Sequence, residues 1–243
     1  MNLVIDSGNT FTKIAVVENN EIIHLKNLAQ ADWEQIAVLL EEFHVQAAIV
    51  SDVTGSAIPL ARRLQEHMPA VVMDTDTPVP LKKNYHSPAT LGSDRLAAAV
   101  CGAFMFPGKN VLVIQAGTCI TWEVVSAHAA YEGGGISPGL GMRFQALHTF
   151  TARLPLVKKQ EISFLTGKNT EESVLSGVIN GCTAEIDGII DQYKEIFPDL
   201  VVVLGGGDTF FFDKKLKNRI FALQNLVVRG LHIILEYNLN GKK

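Results

Sequence analysis

The feature of this chain that most limits its fold is an internal repeat. LVIDSGNTFTKIAVV, residues 3–17, returns as LVIQAGTCITWEVV, residues 112–125, once one residue is dropped from the second copy. In that alignment Asp6 faces Gln115, Gly8 faces Gly117, Thr10 faces Thr118, and Val16-Val17 faces Val124-Val125. Each copy reads as an apolar strand, a turn built on glycine, and a second apolar strand. Two such openings, 109 residues apart, predict an α/β chain of two related subdomains around a central cleft. The boundary falls near Pro107-Gly108, which gives an N-terminal subdomain over 1–108 and a C-terminal subdomain over 109–243.

Between and after the copies, strand and helix patterns alternate. Trp33, Ile36, Ala37, Leu40 and Phe43 recur at helical spacing over 31–43, with Asp32 at the start. AAIV (47–50) and VVM (71–73) read as short buried strands, separated by a helix over 56–67. Pro78, Pro80 and Pro88 mark 74–90 as a connecting loop, after which Ser93 is placed to cap a helix over 94–106. In the second half, GGGISPGLG (133–141) reads as a glycine-rich loop before a helix over 142–154. A long helix spans 170–197, LVVVL (200–204) forms a strand ending in three glycines, and a last helix covers about 223–237.

Composition removes several functional classes. Net charge is −4 and no Lys/Arg block stands out, so nothing in the chain predicts nucleic acid or an anionic membrane as a partner. The longest apolar stretch, 96–106, is too short to span a bilayer. The N-terminus enters a strand directly, without a basic leader, so the expected location is the cytoplasm. Cys101, Cys119 and Cys182 lack metal-ligand spacing and read as buried free thiols of a reducing compartment. The seven histidines form no cluster, and His86 beside Tyr85 reads as a solvated loop residue.

The repeat carries the chemistry. A turn at Gly8 lets backbone N–H groups come close to an anion, because no Cβ blocks the approach. Asn9, Thr10 and Thr12 add donors, and Lys13 adds a charge for a phosphoryl oxygen. Asp6 would repel phosphate unless it orients a hydrated Mg²⁺. Gly117-Thr118 can grip the same phosphates from the other side. Neither turn fits G-x-x-x-x-G-K-[ST] or G-x-G-x-x-G, so the common nucleotide loops are not what this repeat encodes. LGSDRLAAA (91–99) places Asp94 and Arg95 at a helix start. A carboxylate there can accept a hydroxyl proton, and an arginine can bind a planar carboxylate. The alternative is an acid that stabilises the helix dipole beside a surface arginine. The three glycines at 205–207 are either a seat for a flat ring or a tight strand–helix turn. The residues alone therefore reach a kinase-like chain with a small carboxylated substrate.

The order DSGNTFTK, Tyr85 with Pro88, GSDR, AGTCIT, GGGISPGLG, TARLP and GKNT resembles type III pantothenate kinase, a family with the actin and sugar-kinase (ribonuclease H-like) fold. The resemblance implies ATP-dependent phosphorylation of pantothenate to 4′-phosphopantothenate, the first step towards coenzyme A. It implies that Asp6, Ser7, Gly8, Asn9, Thr10, Phe11, Thr12, Lys13 and Thr118 bind ATP, with Mg²⁺ at Asp6. Asp94 is then the proton acceptor, and Tyr85, Gly92, Ser93, Asp94, Arg95 and Thr170 hold pantothenate. A homodimer with sites near the subunit interface, and K⁺ or NH₄⁺ as a monovalent cofactor, are also implied. The family pattern has an acid where this chain has Gln115, which keeps an oxygen ligand but loses the charge. That departure favours a second reading, a ligand-binding regulatory homologue with little catalysis; a kinase of the same fold for another small hydroxy acid is a third.

Overall fold

The computed structural model describes residues 1–241. The chain divides into two compact units. The first comprises 1–108, 125–133 and the segment from Asn225 onward; the second comprises 109–124 and 134–224.

In the first unit the leading copy of the repeat is the hairpin β1 (Asn2–Ser7) and β2 (Thr12–Glu18), extended by β3 (Glu21–Leu28). After α1 (Trp33–Glu42) come β4 (Ala47–Asp52), α2 (Ile58–His67) and β5 (Ala70–Val72), and the sheet order is β3-β2-β1-β4-β5. β1 lies in the middle, antiparallel to β2 and parallel to β4, and all six of its residues are buried. Its side chains alternate between two cores, as a strand covered on both faces requires. Leu3 and Ile5 join the layer under α1 and α2, while Val4 joins the layer under α3 (Ser93–Met105) and the C-terminal helix Leu226–Leu239. α1 starts where Asp32 and Gln35 exchange side chain–backbone bonds in a capping box. A short strand, β6 (Lys82–Lys83), pairs with Ala130 and Tyr131.

The second unit opens with the other copy, β7 (Val111–Ala116) and β8 (Cys119–Val125), followed by β9 (Ala130–Pro138), α4 (Leu140–Thr149) and α5 (Thr170–Ile196). β10 (Val201–Gly205), α6 (Thr209–Asp213), β11 (Phe221–Ala222) and the C-terminal helix, α7, complete the chain. The strand order runs β11-β10-β7-β8-β9. The buried stripe Val174, Val178, Cys182, Ile186 and Ile190 of α5 packs on Leu112, Ile114 and Leu204. Together the units form a mixed α/β protein with two sheets.

Several sequence readings change. The glycine run at 133–135 continues strand β9 rather than forming a loop. Side chains would not fit there: a Cβ on Gly134 would lie 1.7 Å from the Trp122 carbonyl oxygen, and one on Gly135 would lie 2.1 Å from the Trp122 ring. α4 consequently starts at Leu140, two residues early, and ends at Thr149. α2 starts at Ile58, not at 56. Ser93 is the first residue of α3 rather than its cap, because Gly92 holds the cap position. Cys119 is half-buried, while Cys101 and Cys182 are buried, and all three are free. Residues 125–133 and the last helix group with the first unit, whereas the sequence division put them in the second. The helix belongs there because α7 lies tight on α3: a Cβ on Gly230 would stand 1.8 Å from the Ala97 carbonyl oxygen.

Candidate active site

In the first unit, β1 carries Asp6 and Ser7 to its C-terminal end. The chain then turns through residues 8–11, closed by the Gly8 N–H donating to the Phe11 carbonyl at 3.1 Å. Antiparallel register sets Asp6 opposite Lys13 and Ser7 opposite Thr12. Asp6, Ser7 and Thr12 are buried, Gly8 and Lys13 are half-buried, and Asn9, Thr10 and Phe11 are exposed. The turn therefore offers backbone and small polar groups outward, with an acid and a base at its root.

The parallel neighbour supplies a residue that the sequence did not single out. Ser51 of β4 stands opposite Asp6, and its hydroxyl lies 2.9 Å from the hydroxyl of Ser93. That contact fixes the start of α3 at the level of Asp6 and brings Asp94 into its field. Burial pushes the Asp6 carboxyl up to about 6; Lys13 opposes the rise and Asp94 adds to it. Asp94 is half-buried, and its Oδ1 accepts from the Arg95 backbone N–H at 2.8 Å. Gly92 leaves room for this carboxylate, since a Cβ there would lie 2.6 Å from Oδ1.

Arg95 is buried, and its Nη2 lies 3.3 Å from the Tyr131 hydroxyl. The Tyr131 ring tilts against Tyr85, with centroids 5.8 Å apart. The wall Tyr85–Tyr131–Arg95 thus joins two residues expected from sequence through a third, Tyr131, that sequence reading missed. Beyond β4, Ser7 places its hydroxyl 3.3 and 3.1 Å from those of Thr54 and Ser56. Asp52 orders that turn: burial pushes its carboxyl up, but donors from Ala57, Thr54 and Gly55 outweigh burial and hold it below the ordinary value.

In the second unit, Gln115 is the penultimate residue of β7, opposite Gly205 of β10, and Thr118 sits in the β7–β8 turn. Two glycine segments press on this turn. The Gly139 N–H donates to the Thr118 carbonyl at 3.1 Å, and a Cβ on Gly139 would lie 2.1 Å from the Gly117 oxygen. Gly206 adopts φ +102°, with its Cβ direction 2.2 Å from the Ala116 oxygen, and the Asp208 N–H donates to the same oxygen at 2.9 Å. Asp208 is buried and pairs with Lys159. Arg143 pins the other segment, donating to the Pro138 carbonyl and the Ser137 hydroxyl at 2.8 Å each and to Glu185 at 2.6 Å. None of Asp208, Lys159, Arg143 and Glu185 was singled out from sequence, because the Lys159–Asp208 and Arg143–Glu185 pairs span 49 and 42 residues, which local patterns do not encode. Thr170 is the first residue of α5, capped by Asn169, and lines a groove between α4 and α5.

For a divalent ion, Asp6 is the fitting residue: a carboxylate 8% exposed, at a strand end, whose charge is only partly offset by Lys13. Among the described residues no group of three or more His, Cys, Asp or Glu side chains could cage a metal. One carboxylate with a largely hydrated ion matches the habits of Mg²⁺. Gln115 offers a neutral amide oxygen and no charge, which does not fit a site that needs a carboxylate for a monovalent cation.

Comparison with known proteins adds a family. The model of type III pantothenate kinase matches residues 2–192. A type III pantothenate kinase from Christiangramia forsetii is 43% identical over 98% of this chain and 99% of its own length. One from Bacteroides fragilis is 43% identical over the whole of both chains. Among solved structures, a Campylobacter jejuni protein assigned to the Baf family of transcriptional activators superposes with a TM-score of 0.61 at 20% identity, covering 98% of this chain and 99% of that one. A ROK family glucokinase from Streptomyces griseus, in complex with glucose and AMPPNP, gives 0.53 at 13% identity, covering 99% of each. These two likenesses concern the fold alone, and it is that of the sugar kinases.

Proposed function

The chain belongs to the type III pantothenate kinase family, and from that premise we propose how its residues divide the work of phosphorylating pantothenate with ATP. The reaction moves the γ-phosphoryl group to the primary hydroxyl of pantothenate, giving 4′-phosphopantothenate and ADP at the start of coenzyme A synthesis. The observation that carries the reading is the placement of Asp94 beside the Asp6–Lys13 pair by the Ser51–Ser93 contact.

Asp94 accepts the hydroxyl proton as the oxygen attacks phosphorus. The Arg95 N–H donates to it and keeps it oriented without neutralising it. Lys13 and the N–H groups of residues 9–11 hold phosphoryl oxygens, with Ser7, Thr10 and Thr12 as further donors and Asn9 and Phe11 bordering the turn. Asp6 would hold a hydrated Mg²⁺, which would supply positive charge to the transferring group. Gly92, Ser93, Asp94, Arg95 and Tyr85 form the pantothenate side, where the Arg95 guanidinium attracts the substrate carboxylate and Tyr131 fixes its direction. Gln115 brings an amide oxygen but no charge to a K⁺ or NH₄⁺ ion.

A second copy of the chain covers the α4–α5 groove and brings Thr170 to the pantothenate side. Support comes from the groove itself, about 830 Å³ and lined by Leu147, Phe150, Leu154, Val174 and Val178, with Phe150 85% exposed. Light scattering on the purified protein tests the dimer. The assigned location is the cytoplasm; among the described residues no helix is long and apolar enough to cross a membrane. The deciding experiment measures ADP release with ATP, Mg²⁺ and pantothenate. Release that depends on pantothenate supports the proposal, and release that is unchanged without it refutes it. Binding of pantothenate without turnover would instead favour a regulatory homologue.

A further inference from the structure

Arg143 stands where helix stability alone would not put a cation. It lies in the first turn of α4, where the positive end of the helix dipole disfavours its charge. Its side chain runs back towards the N-terminus, as helical side chains do, and reaches the residues that precede the helix. Nε donates to the Pro138 carbonyl and Nη2 to the Ser137 hydroxyl, each at 2.8 Å, and Nη2 also donates to Glu185 Oε2 at 2.6 Å. Glu185 offsets the charge and anchors it on α5, whose Cys182 and Ile186 are buried in the core. The guanidinium thus ties the end of β9 to a firmly packed helix.

The bound segment leads directly to the second hairpin turn. Gly139 follows Pro138, and its N–H donates to the Thr118 carbonyl at 3.1 Å. Nothing separates the two backbones: a Cβ on Gly139 would lie 2.1 Å from the Gly117 oxygen and 2.5 Å from the Thr118 oxygen. The Gly117 N–H donates to the Cys119 carbonyl at 3.0 Å and closes the turn. Close-packed groups transmit displacement, so a shift of 137–138 is passed on to Gly117 and Thr118. A planar fork of donors fixes the direction of its acceptors as well as their distance, which a point charge does not. We infer that Arg143 is a positioning residue for nucleotide binding, setting the β7–β8 turn in place through Ser137, Pro138 and Gly139. The inference rests on the proposed use of ATP, with that turn as a contact.

Calorimetry with MgATP on the whole protein, wild type against Arg143→Gln, tests it. The dissociation constant should rise about tenfold. In ADP-release assays the KM for ATP should rise by about the same factor, with kcat and the KM for pantothenate changed less than about twofold. A variant that was only less completely folded would lose kcat and keep its KM, so this split separates positioning from stability. Arg143→Lys keeps the charge without the fork and should stay about fivefold weaker than wild type. Lys217→Gln breaks an exposed ion pair to Asp191 of α5 and should leave ATP affinity within about twofold.

An unchanged ATP affinity in Arg143→Gln would show that the turn holds its place unaided. Full recovery in Arg143→Lys would show that charge acts at a distance, and an equal loss in Lys217→Gln would trace the effect to α5 in general. Each of these overturns the inference. Should Arg143→Gln fold poorly by circular dichroism, Ser137→Ala decides: affinity about threefold weaker supports the inference, and unchanged affinity overturns it. Wild type that binds ATP without phosphorylating pantothenate would end the kinase reading and leave the affinities to decide this one; wild type that binds no ATP would end both.

Discussion

Replacing Asp6 by Asn should stabilise the ligand-free protein while removing its activity. Asp6 is 8% exposed, and its carboxyl is raised from the ordinary 3.8 to about 6, chiefly by burial and despite Lys13. Below pH 3.8 the group is protonated both folded and unfolded, and it costs nothing. As pH rises towards 6 the unfolded chain releases this proton first, so folded stability falls, and above 6 the loss is complete. The interval between 3.8 and about 6 corresponds to about 3 kcal/mol at pH 7. Asn resembles the protonated carboxyl in shape and has no charge to desolvate. Urea unfolding followed by circular dichroism, with magnesium chelated, should place Asp6→Asn about 3 kcal/mol above wild type at pH 7. The gap should close as pH falls through the 6 to 4 range. Mg²⁺ with ATP should then stabilise wild type and leave the variant nearly unmoved. A variant equal to or weaker than wild type at pH 7 would mean that the carboxylate is adequately solvated in the fold. The claim that it waits for a cation would then fail.

Three further outcomes follow from particular contacts. Asp94→Asn should slow ADP release about a hundredfold or more while pantothenate binding by calorimetry persists; near wild-type turnover would remove Asp94 from the base role. Gly134→Ala forces a Cβ to 1.7 Å from the Trp122 carbonyl oxygen and should cost about 3 kcal/mol or more, seen as a large fall in melting temperature. Exchanging K⁺ for Na⁺ should alter turnover less than about twofold, because Gln115 brings no charge; Gln115→Asp should introduce a cation response, and its absence would show that position 115 is not where cations act.

The legible parts of this molecule are those whose partners are near in sequence. Asp6 and Lys13 are opposed across one hairpin, so the pattern of the repeat exposes them. The Asp32–Gln35 capping box and the apolar stripe of α5 are likewise local. Ser51 was invisible because it meets Asp6 and Ser93 only after a parallel strand has been laid beside β1, and parallel pairing leaves no local signature. Tyr131 looked like one apolar residue among many; its role arises from Arg95 and Tyr85, 36 residues away in the case of Arg95. The glycines of β9 misled for a physical reason. Glycine runs usually mark turns, whereas here small size lets a strand lie against Trp122. The last helix could not be assigned by order along the chain, since its place is set by the notch at Gly230.

The two copies of the repeat finally differ in a way that their surroundings explain. Both deliver the residue before the turn to the end of a central strand, opposite a parallel neighbour. In the first copy that residue is an acid which burial disfavours by a few kcal/mol, and its neighbours on the sheet lead directly to Asp94. In the second copy the neighbours lead to Gly205, Gly206 and the buried Asp208–Lys159 pair. Gln115 carries no charge, and its amide still offers an oxygen. The charge is kept in the copy that adjoins Asp94, where, on the proposed reading, a hydrated Mg²⁺ would offset it. The second copy keeps the glycine and threonine of its turn, Gly117 and Thr118.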